Sequence, residues 1–248
     1  MLIKILGSGT CVPSLKRNSP SIYIGRGNKH VLVDCGSGAL KQLEKANLSY
    51  KEIDIVFFTH FHTDHIADLN PLIQALNWTP GFVRKKDLLL VGPVGIKKFI
   101  QSYIRPVSGD PLPDTFKIII EEIKDKLVFD GFSVECAKTN HNDESIAYKF
   151  TENEKSLVIS GDSDYDENLI AFADGCDLFI LECSFDNSQK QEGHLISREC
   201  GEIAKKANVK KLILTHLYPG KSESVRLKET KEIFDNTILA EDLLEIKL

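Results

Sequence analysis

Seven residues, Thr59-His60-Phe61-His62-Thr63-Asp64-His65, constrain this chain more than any other stretch. They place three imidazoles and a carboxylate directly behind the apolar strand candidate Asp54-Ile55-Val56-Phe57-Phe58. Imidazole nitrogen and carboxylate oxygen are donors that borderline Zn²⁺ prefers, and several must converge on one ion. A strand that ends in a tight loop and then a helix can aim such donors at one point. His60 and His62 alternate as on an extended segment, while Asp64 and His65 open the helix Ile66-Ala67-Asp68-Leu69 and reach back. The plain alternative is a helix cap with Thr63 or Asp64 at the N-cap. A cap uses one short oxygen side chain and leaves three clustered histidines without a role.

The remaining pattern is strand-rich. Strands are expected at Leu2 to Leu6, Ser21 to Gly25 and His30 to Asp34, then a helix from Ser37 to Ala46 with Leu40, Leu43 and Ala46 on one face. Ile66 to Leu76 reads as one helix, Leu88 to Val91 as a strand and Ile96 to Ile104 as a helix. Arg105 to Thr115 holds three prolines and a glycine and is expected to be a loop, either a lid or a plain connector. Strands resume at 117–122, 126–129, 132–138, 145–151 and 156–160. Helices near 167–172, 197–207 and 224–234 then alternate with strands at 178–181 and 211–215. This order suggests an α/β chain in which two sheets pack face to face, each covered outside by helices, as a single domain over 1–248.

Composition fits a soluble enzyme. The 248 residues are 42% hydrophobic and carry a formal net charge of −5, so global attraction to nucleic acid is not favoured. Basic pairs such as Lys16-Arg17 and Lys210-Lys211 read as solvated surface. The six cysteines form no C-x-x-C pair, and five read as ordinary buried thiols. No signal segment and no run of 18 apolar residues is seen, so a reducing cytoplasm is the expected location.

Donors from one segment rarely complete a metal site, and three more lie just past apolar strands. His141 follows 132–138, Asp162 follows Leu157-Val158-Ile159, and His216 follows Leu212-Ile213-Leu214. Strand ends are where binding crevices form. Singly, each reads as a structural hydrogen-bonder; beside the H-x-H-x-D-H run they read as ligands.

With these residues the sequence resembles the metallo-β-lactamase-fold hydrolases over essentially its whole length. The resemblance implies an αββα four-layer sandwich of two mixed β-sheets. It implies His60, His62 and His141 on one cation, Asp64, His65 and His216 on a second, and Asp162 bridging both. His30 matches no ligand position and is expected to be structural. Gly7-Ser8-Gly9-Thr10-Cys11-Val12-Pro13, Arg17-Asn18, Gly92-Pro93-Val94-Gly95, Glu182-Cys183-Ser184-Phe185 (against H-E-A-T-F) and Gly193-His194 are similar to segments of the tRNase Z branch. Two departures stand out. That branch inserts a tRNA-gripping arm between the residues matching His141 and Asp162, for which this chain has no room. It also tends to carry Ser and Arg where this chain has Leu217-Tyr218-Pro219.

The resemblance therefore implies an arm-less phosphodiesterase with two Zn²⁺ (or Mn²⁺ or Fe), acting on a small or cyclic nucleotide or other phosphodiester. A hydroxide shared by the cations is the expected nucleophile, Asp64 its base, and His194 assisted by Glu182 the proton donor. Lys16 and Arg17 are candidate phosphate contacts, and dimerisation, common among relatives, leaves a homodimer open. The alternatives are tRNA 3′ processing, a glyoxalase II-type thioesterase, a β-lactam hydrolase, a flavodiiron-type redox protein, and a metal-stabilised binding module without turnover.

Overall fold

Apolar alternation in the strands has to be buried on both faces, and the chain achieves this with two sheets back to back. The computed structural model describes residues 1–108, 113–220 and 223–248. Strands β1 (Leu2–Gly7), β2 (Ser21–Arg26), β3 (Lys29–Val33), β4 (Ile55–Phe57), β5 (Leu88–Gly92) and β6 (Ile118–Glu122) form one sheet, with β14 (Glu245–Lys247) beside β1. Strands β7 (Lys126–Phe129), β8 (Phe132–Lys138), β9 (Ile146–Glu152), β10 (Lys155–Ile159), β11 (Leu178–Glu182), β12 (Leu212–Thr215) and β13 (Thr237–Leu239) run in order across the other. Each sheet is mixed: β1–β2–β3 and β7–β8–β9–β10 pair antiparallel, whereas β3–β4–β5–β6 and β10–β11–β12–β13 pair parallel.

Three apolar clusters define four layers. The central one joins Ile3, Ile5, Val33 and Phe57 of the first sheet to Tyr148, Phe150, Ile159 and Ile180 of the second. Outside the first sheet lie α1 (Ala39–Lys45), α2 (Thr63–Ile66), α3 (Leu69–Trp78) and α4 (Ile96–Ser108). Outside the second lie α5 (Glu167–Ala173) and α6 (Ser197–Lys206), with α7 (Glu223–Lys231) against α6. This is the αββα sandwich expected from the sequence. Among the described residues, no helix is long and apolar enough to cross a membrane.

Several element boundaries differ from the sequence reading. The expected helix 66–76 is two helices, because Asp68 is drawn elsewhere: its N–H donates to Cys35 O at 2.9 Å and its carboxylate accepts from Leu40 N at 3.1 Å. His62, not Thr63 or Asp64, is the N-cap of α2, and its side chain makes no capping bond. Helix α4 runs through Pro106 to Ser108, where a loop was expected from Arg105, and residues 109–112 of that stretch lie outside the described residues. Strands β13 and β14, three residues each, were missed. Four cysteines are buried rather than five; Cys136 is half-buried and Cys11 exposed.

Phe57 sits where the two sheets meet, edge-on to Tyr148 at 5.2 Å and to Phe150 at 5.3 Å between ring centroids. Replacing it by alanine opens a cavity that rigid sheets cannot collapse, so Phe57→Ala should cost about 3–5 kcal/mol. Urea titration should show a lower midpoint with unchanged slope; a loss below about 1 kcal/mol would contradict this placement of the core.

Candidate metal centre

All seven ligands expected from the sequence come together at one rim of the two sheets. Chain direction explains why: β3, β4, β10, β11 and β12 end at the same rim, delivering Asp34, His60, Asp162, Glu182 and His216 into one crevice. His60 Nε2 lies 3.7 Å from Asp162 Oδ2, and His141 Nε2 lies 3.8 Å from that oxygen and 3.2 Å from His62 Nδ1. On the other side, His65 Nε2 and His216 Nε2 each lie 3.4 Å from Asp162 Oδ1. The same two nitrogens are 3.7 and 3.5 Å from Asp64 Oδ2. Asp162 thus turns one oxygen to each group of histidines.

These donors fit cations. A tetrahedral shell with bonds of about 2.0–2.1 Å spaces its ligand atoms roughly 3.3–3.4 Å apart, close to the observed separations. His60 Nε2, His65 Nε2, His216 Nε2 and Asp162 Oδ1 are buried with no hydrogen-bond partner among the described residues. Buried polar atoms are almost always satisfied, so four orphans aimed at one place mark a position for positive charge. Burial, reinforced by neighbouring His65, holds His60 well below the ordinary imidazole range, which keeps it neutral as a ligand must be. Burial would raise Asp162, but His216 and His65 outweigh it and hold the carboxyl well below its usual range. Burial would likewise lower His65, yet Asp162 and Asp34 raise it well above its usual value, the signature of a negative field.

A second ring of groups aims these donors. Asp34, in the left-handed region at φ 60°, accepts from Thr59 N at 2.9 Å and from His65 Nδ1 at 2.7 Å. Thr59 Oγ1 lies 3.0 Å from His60 Nδ1, and His141 Nδ1 donates to Gly193 O at 2.8 Å. Tyr148 Oη donates to Phe58 O at 2.7 Å, fixing the backbone just ahead of the histidine run. Sequence reasoning missed Asp34, although it follows an apolar strand just as Asp162 does; it was read as the last residue of that strand.

Glu182 and His194 form a pair beside the donors. Glu182 is fully buried; Oε1 accepts from His194 Nδ1 at 2.8 Å and Ser163 N at 3.0 Å, and Oε2 from Ser184 Oγ at 2.8 Å and Leu195 N at 3.2 Å. Burial would lower His194, but the Glu182 hydrogen bond together with the negative charges of Glu182, Asp162 and Asp64 outweighs it, and the imidazole is raised. The His194 ring stacks 5.5 Å from His216, and its nitrogen lies within 4.8 Å of the donor atoms of Asp162 and His216. His30 is absent from this cluster; its Nδ1 contacts Tyr23 Oη at 2.7 Å.

Lys16 and Arg17, the candidate phosphate contacts, are both engaged by Glu223. Arg17 is 5% exposed, with Nη1 donating to Ala240 O at 2.6 Å and Nε and Nη2 each donating to Glu223 at 2.9 Å. Lys16 Nζ reaches the same carboxylate at 2.6 Å. The pair ties the amino-terminal loop to α7. Arg17 and Lys16 together hold the Glu223 carboxyl at about 2, so it stabilises the fold fully above its unfolded value near 4.5 and loses that contribution as pH falls toward about 2. Glu223→Gln should therefore lower stability by about 2 kcal/mol at pH 7. Melting curves of parent and variant should converge between about pH 4 and 2; a constant difference across that window would contradict the pairing.

Comparison with known proteins places this geometry among relatives. A family model described as anti-Pycsar protein Apyc1 matches residues 1–235. Ribonuclease Z of Archaeoglobus fulgidus is 29% identical over 308 aligned positions that cover 100% of this chain and 98% of the relative. Ribonuclease Z of Listeria monocytogenes is 28% identical over 305 positions, covering 98% of each. Both alignments are longer than this chain, so these relatives carry inserted residues that it lacks. Among solved structures, the metallo-β-lactamase fold protein YhfI from Bacillus subtilis superposes with a TM-score of 0.87 at 27% identity, covering 99% of both chains. The short form of human tRNase Z superposes at 0.83 with 24% identity, covering 100% of this chain and 99% of its own.

Proposed function

The chain belongs to the anti-Pycsar protein Apyc1 family, and from that premise we propose a metal-dependent phosphodiesterase working on a small or cyclic nucleotide. The observation that carries this reading is the set of buried, unpartnered nitrogens and oxygen from separate strand ends around Asp162. In this reading His60, His62, His141 and Asp162 would hold one Zn²⁺, and Asp64, His65, His216 and Asp162 would hold another. Nitrogen and oxygen donors suit zinc, with Mn²⁺ or Fe as substitutes set by availability. Bound divalent cations would supply Lewis acidity, lowering the pKa of water from about 15.7 toward 7 and stabilising charge on phosphoryl oxygens.

The protein's own groups do the rest. Asp64 orients the attacking water and takes its proton. Glu182 commits His194 Nδ1, so the transferable proton sits on Nε2, and the raised imidazole keeps that proton near neutrality. It passes to the leaving oxygen. The preference for a small substrate is supported by the stretch between His141 and Asp162. The β9–β10 hairpin fills it with a two-residue turn, leaving no arm to grip a tRNA. The ribonuclease Z relatives favour a second reading, cleavage of precursor tRNA.

A panel of 2′,3′-cyclic and 3′,5′-cyclic nucleotides, bis-p-nitrophenyl phosphate, a thioester and a precursor tRNA decides among these. Turnover of small phosphodiesters is expected. Cleavage of the tRNA alone would replace this substrate assignment with the second reading, and thioester hydrolysis alone would overturn both. Asp162→Ala should abolish turnover and metal retention. His194→Ala should cut turnover by about two to four orders of magnitude, with metal content, read by elemental analysis, unchanged.

A further inference from the structure

Ser184 stands two residues past β11, fully buried, between the Glu182–His194 pair and the ligand His216. Its Oγ lies 2.8 Å from Glu182 Oε2, 3.0 Å from His216 Nδ1 and 3.3 Å from His194 Nδ1. A hydroxyl has one proton to give and two lone pairs to offer. Glu182 Oε2 and the more distant His216 O, at 3.4 Å, can only accept from it, and the Ser184 proton goes to the nearer, charged oxygen. His194 Nδ1 is already committed to Glu182 Oε1 at 2.8 Å. What Ser184 offers His216 is a lone pair, and His216 must donate to it from Nδ1.

That assignment fixes the ring. A neutral imidazole carries one N–H, and the bond made by one nitrogen decides the state of the other. With Nδ1 protonated, His216 Nε2 keeps its lone pair, buried and unpartnered among the described residues, facing Asp64 and Asp162. Three other ligand histidines have comparable contacts at Nδ1: His60 with Thr59 Oγ1, His65 with Asp34, and His141 with Gly193 O. Such outer contacts orient ligands and tune affinity.

We propose that Ser184 is a positioning residue that sets the tautomer of His216 and, through it, the cation affinity of the Asp64–His65–His216 half of the site. This rests on the two-cation reading above. Without the hydroxyl, the buried Nδ1–H loses its acceptor. The opposite tautomer, with Nε2–H directed at the Asp64 and Asp162 carboxylates, becomes the better-satisfied state. That proton must then leave before the nitrogen can bind a cation. Threonine at this place would supply the same hydroxyl oxygen.

The test compares full-length parent, Ser184→Ala and Ser184→Thr. Zn²⁺ titration against a chromophoric chelator reads each binding step, and ¹⁵N-detected histidine NMR of the cation-free protein reads the His216 tautomer. Ser184→Ala should weaken one binding step by about 10–100-fold, leave the other as in the parent, and move the His216 proton from Nδ1 to Nε2. Ser184→Thr should restore both readouts. Equal weakening of both steps without rescue by threonine, or an unchanged tautomer in Ser184→Ala, would overturn the proposal. A parent that takes up a single ion would sink the two-cation reading; the tautomer comparison still decides the part played by Ser184.

Discussion

A buried carboxylate facing histidines from separate segments is the constraint on which the rest of the structure depends. Asp162 is 3% exposed, and leaving its charge in that setting without compensation would be costly. His60, His65, His141 and His216 surround it, each with an Nε2 within 3.8 Å of one of its oxygens. No single element can supply that ring, so the sandwich must bring β4, β8, β10 and β12 to a common rim. The two sheets are therefore a device for registering strand ends as much as for burying apolar area.

The cost of this arrangement shows in the backbone. Asp34 and His216 both adopt positive φ, at 60° and 55°, where side-chain-bearing residues are uncommon. Gly161, immediately before Asp162, also lies in the left-handed region, and a Cβ there would sit 2.7 Å from Thr59 Cβ. Unusual conformations persist where surrounding contacts over-determine them. Here the contacts are visible: Leu217 N donates to Ser8 O at 3.0 Å, and Asp242 accepts from Ser8 N, Asn18 N and Gln42 Nε2. The amino-terminal glycine turn and the carboxy-terminal segment are thus bound together around the loop that holds His216.

The candidate metal-binding set was legible in the sequence because its chemistry is concentrated. Three histidines in one run, with further donors just past apolar strands, form a pattern that neither helix capping nor core packing requires. The supporting groups were harder to see. Asp34 looks like the end of a strand, Ser184 like any small polar residue, and the Gly193 carbonyl carries no side-chain signal at all. For Arg17 the sequence offered a phosphate contact or a solvated surface, and neither shows its partner Glu223, more than 200 positions away. Strands β13 and β14 are too short to show periodicity; they exist because partners already in place offer them open edges.

Diffraction from zinc-loaded crystals, recorded on both sides of the zinc absorption edge, tests the central claim most directly. The account predicts two anomalous peaks about 3.5–4 Å apart, with the Asp162 carboxylate between them, His60, His62 and His141 around one, and Asp64, His65 and His216 around the other. A single peak, or two peaks that do not share Asp162, would contradict it.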